Sequence, residues 1–490
     1  MTNKPMSLPS PSRFWPRTPF AAVRLRISER RMLLGVVDLL VVSLSLWLAL
    51  ATQPGLVWRP ALTTLYVRWF VTLWGIWLVV ALIFDLYHLP QAAHPRRAVQ
   101  STVGAGLMMV IVYALTPWLT PPLLSRFLIV VFAATALAGL GLWRFGYARF
   151  FTQPWSKQRL LIVGAGRAGT ELAYNLSQAG GVPSPYRGSG YELVGFVDDD
   201  AALQQQTIAG APVWGNHTNL APLLAALHID EVVVAITNRH AIRAELLEAL
   251  IACAEHGCRV TTMSALTERV LGRVPVLHVG HNLEEAFPTQ GDVGVRLNAI
   301  FKRATDVTAA LLGLAVLGVL LPWVALANRA GSPGPLFYRQ QRVGRGGRSF
   351  DIYKLRSMVP NAEAGIGAVW AARGDRRVTP VGRWLRRTRL DELPQMLNVL
   401  RGEMSLIGPR PERPEFVAQL AAELPFYRAR HSVRPGVTGW AQVQYVYGRS
   451  VEDARIKLEY DLYYVRHASP LLDLQILFRT VAIALQMKGS

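Results

Sequence analysis

Cysteine is nearly absent: Cys253 and Cys258 are the two in 490 residues. No disulfide framework can be built from them, which points to a reducing compartment. His256 lies between them, but two thiols and one imidazole lack the paired spacing of a zinc site and read as core residues. Acid is scarce as well. With 32 Asp and Glu against 52 Lys and Arg, the formal charge is +20, which suits an anionic surface or a phosphate-bearing ligand. Nucleic acid is set aside, because the basic residues flank apolar segments and no zinc-finger or RNA-recognition signature occurs. A third lack concerns redox chemistry: no Tyr is followed by Lys four residues later. That pairing lowers a phenol pKa in short-chain dehydrogenases and epimerases, so this class is disfavoured.

Apolar residues are plentiful. They make up 51% of the chain and the mean hydropathy is +0.24, so part of a protein with length for two or three domains is expected in lipid. Residues 1–31 are polar, Pro-containing and basic, and read as a cytoplasmic tail rather than a signal peptide. Four apolar runs follow, Met32 to Ala51, Trp69 to Leu86, Thr102 to Leu119 and Leu123 to Phe145, each near the length that spans a bilayer. Arg24, Arg26, Arg30, Arg31, Arg96, Arg97, Arg144 and Arg149 fall on one side, and Arg59, Arg68 and Arg126 on the other. The positive-inside rule then places both ends of the bundle in the cytoplasm. Asp38 and Asp85 sit in or beside these runs; Asp38 invites a partner on a neighbouring helix.

From Trp155 to Leu283 the pattern changes to α/β. RLLIVGAGRAGTELAYNL reads as strand, Gly-rich turn and helix, with Gly164, Gly166 and Gly169 at GxGxxG spacing. ELVGFVDDD and EVVVAIT supply further strands, so a Rossmann-like sheet is predicted. The same glycines serve either a bound nucleotide or a tight turn with close helix packing. The acids arrive about thirty residues after the glycines, later than the usual ~20 of a dinucleotide site.

A fifth apolar segment, Ala304 to Ala327, contains Pro322 and has basic flanks at both ends. A helix that enters lipid, bends at the proline and returns would keep both flanks on one side. Next, SPGPLFYRQQRVGRGGRSFDIYKLRSM predicts two strands joined by a Gly-rich hairpin, with Lys354 and Arg356 alternating onto one face. The charged segment Asn361 to Arg377 is expected to be a loop or short helix at the mouth of a site. RRTRLDELPQMLNVLRGEMSLIGPRP, residues 386–411, follows. Its helical spacing and first-turn Pro394 start a helix at or just before Asp391, at the positive end of the dipole. The acid pair Asp391-Glu392 beside Arg383, Arg386, Arg387 and Arg389 resembles a phosphoryl-transfer arrangement; an N-capping Asp with a first-turn Glu has the same pattern. Gly408-Pro409-Arg410-Pro411 predicts a rigid turn offering Arg410 to an anion. Trp440 reads as core or site wall, and the C-terminal 471–490 stretch as an amphipathic surface segment.

KRATD (302–306), the 332–358 stretch, LRRTRLDELPQMLNVLRGEMSLIGPRPERPEF (385–416) and VRPGVTGWAQV (433–443) together resemble the bacterial sugar transferases, the monotopic phosphoglycosyl or polyprenyl-phosphate hexose-1-phosphate transferases. The preceding part resembles the long forms of that family. The resemblance implies a multidomain α and α/β membrane protein: a tail over 1–31, a four-helix transmembrane bundle over 32–150, a Rossmann-like accessory domain over 151–296, and a catalytic α/β domain over 297–490 with a re-entrant helix at 304–327. It implies that Asp391 attacks a UDP-sugar, that Glu392 holds Mg2+, and that Arg386, Lys354, Arg356 and Arg410 bind phosphates. Lys302, Arg303 and Asp306 would stand where the re-entrant helix meets the membrane. Family members commonly break this helix at Ser-Pro, whereas this chain has Leu321-Pro322. The implied partners are a UDP-sugar, polyprenyl (undecaprenyl) phosphate and the bilayer of the bacterial inner membrane, with soluble domains in the cytoplasm and no nucleic acid; a homodimer is compatible with the large accessory region. The rival reading is a membrane-anchored nucleotide sensor or scaffold of polysaccharide assembly, and the sequence does not name the sugar.

Overall fold

The computed structural model describes residues 27–52, 63–87, 89–116, 118–120, 126–150, 157–177, 190–238, 242–278, 293–360, 362, 375, 377–445 and 450–485. The basic tail over 1–26, most of the insertion after Gly180, most of the 361–377 loop, Arg24, Arg26, Arg59 and Lys488 lie outside the described residues. Two compact units are present, Met1–Leu271 and Gly272–Ser490.

In the first unit, α1 (Ile27–Ala51), α2 (Thr63–Ile83), α3 (Pro95–Ala114) and α4 (Arg126–Phe150) are long and apolar enough to cross a membrane. They share an apolar cluster that includes Leu46, Trp69, Trp77, Tyr113 and Phe132. Asp38 finds the interhelical partner its position called for: Oδ2 accepts from Arg144 Nη2 at 2.6 Å, with both side chains fully buried. Arg144 and Arg30 had been counted as flanking cations, but both are buried. They pair inside protein instead of facing lipid headgroups, so the orientation argument rests on the remaining arginines.

The α/β part of this unit is a parallel sheet of β1 (Gln158–Val163), β2 (Tyr191–Val197), β3 (Glu231–Val234) and β4 (Arg259–Thr262), in the order β2-β1-β3-β4. α5 (Arg167–Ser177), α6 (Leu220–Leu227) and α7 (Ala244–Glu255) make the crossovers, and α8 (Met263–Leu271) follows β4. Both faces of the sheet are covered by apolar clusters, which explains why its strands are apolar runs without alternation. Cys253 and Cys258 are free and buried in this core, as expected.

The second compact unit begins at Gly272, ahead of the catalytic stretch expected over 297–490. The reason is physical: Val274 and Val276 are buried in one cluster with Val417, Leu420, Leu458 and Leu462. Val274 N–H also donates to Glu459 O at 3.0 Å. The long helix α9 (Val293–Gly331) is followed by the antiparallel hairpin β5 (Phe337–Val343) and β6 (Ser349–Leu355). Then come α10 (Pro380–Arg387), a 3-10 turn (Leu390–Gln395), α11 (Met396–Arg401), β7 (Ser405–Ile407) and α12 (Pro414–Glu423). A second 3-10 turn (Tyr427–Ser432) leads to β8 (Gly436–Thr438), which pairs with β7 in parallel. α13 (Trp440–Gln444), α14 (Val451–His467) and α15 (Pro470–Leu485) complete the unit.

α9 stays helical through Pro322, so the proline does not end the helix there. Proline removes one donor, leaving the Gly318 carbonyl without its usual partner. Leu317, Leu321 and Val324 on either side pack in one cluster with Leu355, Leu385 and Val381.

Candidate active site

Asp391 is placed by two tight features. Gly382 lets α10 lie on the backbone of the Ser357 segment: a Cβ there would sit 2.0 Å from Ser357 O. Arg389 then takes a left-handed conformation, φ 60°, and turns the chain sharply into the 3-10 segment that carries Asp391 and Glu392. The helix therefore starts where the spacing indicated, but as a 3-10 turn, with α-helix proper only from Met396. Asn398, fully buried, fastens this helix to β6 by donating to Asp351 O at 2.7 Å and accepting from Tyr353 N–H at 3.3 Å. The acids and the Lys354 strand are thus one rigid piece.

Both acids are buried, but their surroundings differ. Glu392 Oε1 accepts from Lys354 Nζ at 3.1 Å and from Arg410 Nη2 at 2.9 Å, and Arg389 Nη1 lies 3.8 Å from Oε2. Burial alone would raise the Glu392 pKa; the three cations outweigh it and hold the carboxyl far below the usual range. Among the described residues, no side chain bonds the Asp391 carboxylate. Burial first, then the charge of Glu392, push Asp391 up to about 6 against the pull of Lys354, Arg386 and Arg410. Dipole stabilisation was expected to keep this Asp readily ionised. Desolvation and its acidic neighbour win instead, because a short 3-10 turn supplies little field. Lys354 is lowered by burial despite Glu392.

Arg386 donates from Nε to Ser357 Oγ at 2.9 Å and lines the same cavity as Asp391, Lys354 and Arg410. Arg356 lines the same cavity, but its hydrogen bonds within the unit do not fit the phosphate role expected for it. Its guanidinium donates to Pro335 O (2.6 Å), Ser332 Oγ (3.0 Å), Met358 O (3.1 Å), Asn328 Oδ1 (2.7 Å) and Ser332 O, so its donors are taken. β6 ends at Leu355, so the alternation that would have aligned Arg356 with Lys354 stops one residue short.

The remaining membrane-boundary residues anchor α9 to its own unit. Lys302 Nζ donates to Asp473 Oδ2 (2.8 Å) and Tyr464 Oη (2.9 Å). Arg303 caps the end of α11 through the Val399 and Leu400 carbonyls, both at 2.7 Å. Asp306 Oδ1 accepts from Ser405 Oγ (2.9 Å) and Leu406 N–H (2.8 Å).

The cavity around Asp391 measures about 820 Å3, large enough for a nucleotide-sized ligand. Its lining is richer in basic than acidic side chains and extends past Arg410 to Arg342, Arg413, Phe416, Tyr427, Arg430, Lys457 and Asp461. Sequence reading missed this extension, since these residues lie on separate elements and share no motif. Trp440 is core: its Nε1 donates to Gly272 O at 2.8 Å and its ring stacks on Tyr463. No three His, Cys, Asp or Glu side chains gather as a metal cage among the described residues. The acid pair instead fits an ion held mostly by substrate phosphates and water, as Mg2+ commonly is.

In the first unit, Gly164 has φ +103°, and a Cβ on Gly169 would lie 1.9 Å from Gly164 O, so packing demands both glycines. Gly166 is exposed with open space beside it. The Ala165 N–H between them is already bonded, at 2.6 Å, to Asp198 Oδ2 from the end of β2. A carboxylate thus takes a donor of the turn that a bound phosphate would otherwise approach.

Residues 297–487 match the family described as bacterial sugar transferase, and residues 82–263 match a CoA-binding domain. A UDP-N-acetylgalactosamine-undecaprenyl-phosphate N-acetylgalactosaminephosphotransferase of Aeromonas hydrophila is 42% identical over 270 residues, which cover 55% of this chain and 62% of that protein. The chain thus spans less than two thirds of that relative's length. Two UDP-glucose:undecaprenyl-phosphate glucose-1-phosphate transferases are also similar. The Caulobacter vibrioides protein is 48% identical, over 37% of this chain and 68% of its own length. The Xanthomonas campestris pv. campestris protein is 31% identical, over 69% and 68% respectively.

Proposed function

Because the chain belongs to the bacterial sugar transferase family, we propose that it transfers a sugar 1-phosphate from a UDP-sugar to polyprenyl phosphate by way of a covalent phosphosugar on Asp391. The observation that carries this reading is the contrast within the acid pair: Glu392 is pinned by Lys354 and Arg410, while Asp391, its neighbour, faces a cation-lined cavity unbonded among the described residues. A carboxylate oxygen of Asp391 attacks the β-phosphorus, the bond to the bridging oxygen breaks, and UMP leaves with the electron pair. An oxygen of the lipid phosphate then attacks the same phosphorus and returns the carboxylate, giving a polyprenyl diphosphosugar. Arg386, Lys354 and Arg410 neutralise phosphate charge in both displacements. Glu392 would hold Mg2+, which when bound would supply further neutralisation of the pyrophosphate.

The two displacements suit a soluble donor and a lipid acceptor that need not meet. Support for a membrane-boundary location comes from α9. Arg303 and Asp306 near its start and Asn328 near its end are bonded to the same unit, while Leu312, Val316, Val319, Trp323 and Leu326 are exposed between. We infer that α9 enters and leaves lipid on one face, the cytoplasmic face of the inner membrane, and that α1 to α4 span that membrane. The first test is intact mass. Incubation with UDP-glucose or UDP-N-acetylgalactosamine without acceptor should add one sugar phosphate, and Asp391→Asn should abolish both the adduct and lipid-linked product. Turnover retained in that variant would overturn the assignment.

A further inference from the structure

Two buried ionisable groups at the floor of the cavity take no part in the chemistry above. Arg430, in the 3-10 turn before β8, donates from Nε (3.1 Å) and Nη2 (2.7 Å) to Asp461 Oδ2 on α14. Its Nη1 donates to Tyr427 Oη at 2.9 Å. Nη2 also reaches the main-chain carbonyl of Arg410 at 3.0 Å. Arg430 is 5% and Asp461 2% exposed, so neither group can be serving solvent contact.

A pair of this kind adds little to stability. The cost of removing two charges from water is about as large as their attraction, and apolar replacements of similar size are often neutral or better. What the pair does here is geometric. The Gly408–Pro411 turn is held on one side by β8, through Gly408 N–H to Thr438 O (2.9 Å) and Gly436 N–H to Pro409 O (2.8 Å). Among the described residues, the Arg410 carbonyl on the other side is held by Arg430. The side chain of Arg410 leaves that same residue to meet Glu392 at 2.9 Å. Tyr427, which receives Arg430 Nη1, is packed in the cluster with Val274 and Val276, so the brace stands on a filled core.

We propose that Arg430 is a positioning residue for the transfer reaction: through the carbonyl of Arg410 it holds the Arg410 side chain against Glu392, and Asp461 keeps Arg430 aimed. The kinetic part of this proposal rests on the reaction proposed above; the geometric part does not. Without the brace the turn relaxes and Glu392 loses one of its two close cations.

The test uses the full-length protein in three forms: parent, Arg430→Lys, and the double variant Arg430→Met with Asp461→Leu, which removes both buried charges together. Adduct formation from UDP-glucose or UDP-N-acetylgalactosamine is followed by intact mass over a range of donor concentrations, and each form is melted and its structure determined. In the double variant, kcat/KM for the donor should fall roughly ten- to hundredfold, with the loss in kcat rather than in KM alone. Melting should stay close to that of the parent, and Arg410 should be displaced from Glu392. Arg430→Lys, which keeps the charge but loses the fork, should show the same loss in smaller degree and carries the test should the double variant not fold. Arg410 still bonded to Glu392 in the folded variants, or kcat/KM within about twofold of the parent, would overturn the proposal. If no form yields an adduct, the reaction assignment is what fails, and the position of Arg410 in the variant structures still decides for or against the brace.

Discussion

At the residue scale, the decisive quantity is the unequal titration of two adjacent acids. Asp391 sits near pH 6 while Glu392 is held down by cations. A nucleophile must be ionised, so adduct formation should be full above pH 7 and fall as pH drops through about 6; a pH series of intact-mass rates checks this. The same shift bears on stability. The Asp391 pKa is raised on folding, from 3.8 to about 6, so the folded chain binds that proton more strongly and ionisation weakens the fold as pH rises. Asp391→Asn should therefore melt higher than the parent, by about 3 kcal/mol of stability at pH 7 to 8. The gain should be gone below about pH 4, where the acid is protonated folded or unfolded. Much of this site was legible in sequence, because Asp391, Glu392, Arg386 and Arg410 lie in one stretch and Lys354 in a recognisable hairpin. Arg430 and Asp461 were not, since a buried pair contributed by a 3-10 turn and a distant helix leaves no spacing to read. Arg356 was misread for the opposite reason: its spacing from Lys354 implied a shared face that the end of the strand removes.

At the element scale, α10 sets the position of Arg386. The helix starts at Pro380 with Thr379 as its cap, Thr379 Oγ1 accepting from Gly382 N–H at 2.9 Å. It can approach Ser357 only because residue 382 has no side chain. Gly382→Ala should push the helix outward and separate Arg386 from Ser357. Donor kcat/KM should drop roughly a hundredfold, as a displacement near 1 Å can cost, and steady-state kinetics of the purified variant measure it. Long apolar helices and the β5-β6 hairpin were readable from hydropathy and turn residues. The persistence of α9 through Pro322 was not, because whether a proline breaks a helix depends on what its neighbouring turns pack against.

At the scale of the whole molecule, hydropathy and strand patterning separated the apolar helices from the α/β parts, and the family match begins at residue 297, but the compact unit that holds it starts earlier, at Gly272. Composition between Gly272 and His278 gives no hint that Val274 and Val276 fill a core whose other members come from residues beyond 340. A fragment starting at Asn298 lacks both valines, a loss of about 3 kcal/mol or more of apolar burial. In detergent it should melt roughly 10 °C below a fragment starting at Gly272; equal melting curves would show that the segment is dispensable. Arg356 finally joins two parts of this unit that hydropathy alone would treat separately: one guanidinium grips the far end of the apolar helix and the chain just past the Lys354 strand. With α9 in lipid as proposed, immersion of that helix and placement of Asp391 become one mechanical coordinate. A bilayer that thins or swells should then tug on both together, so turnover measured in vesicles of differing acyl-chain length should change with hydrocarbon depth.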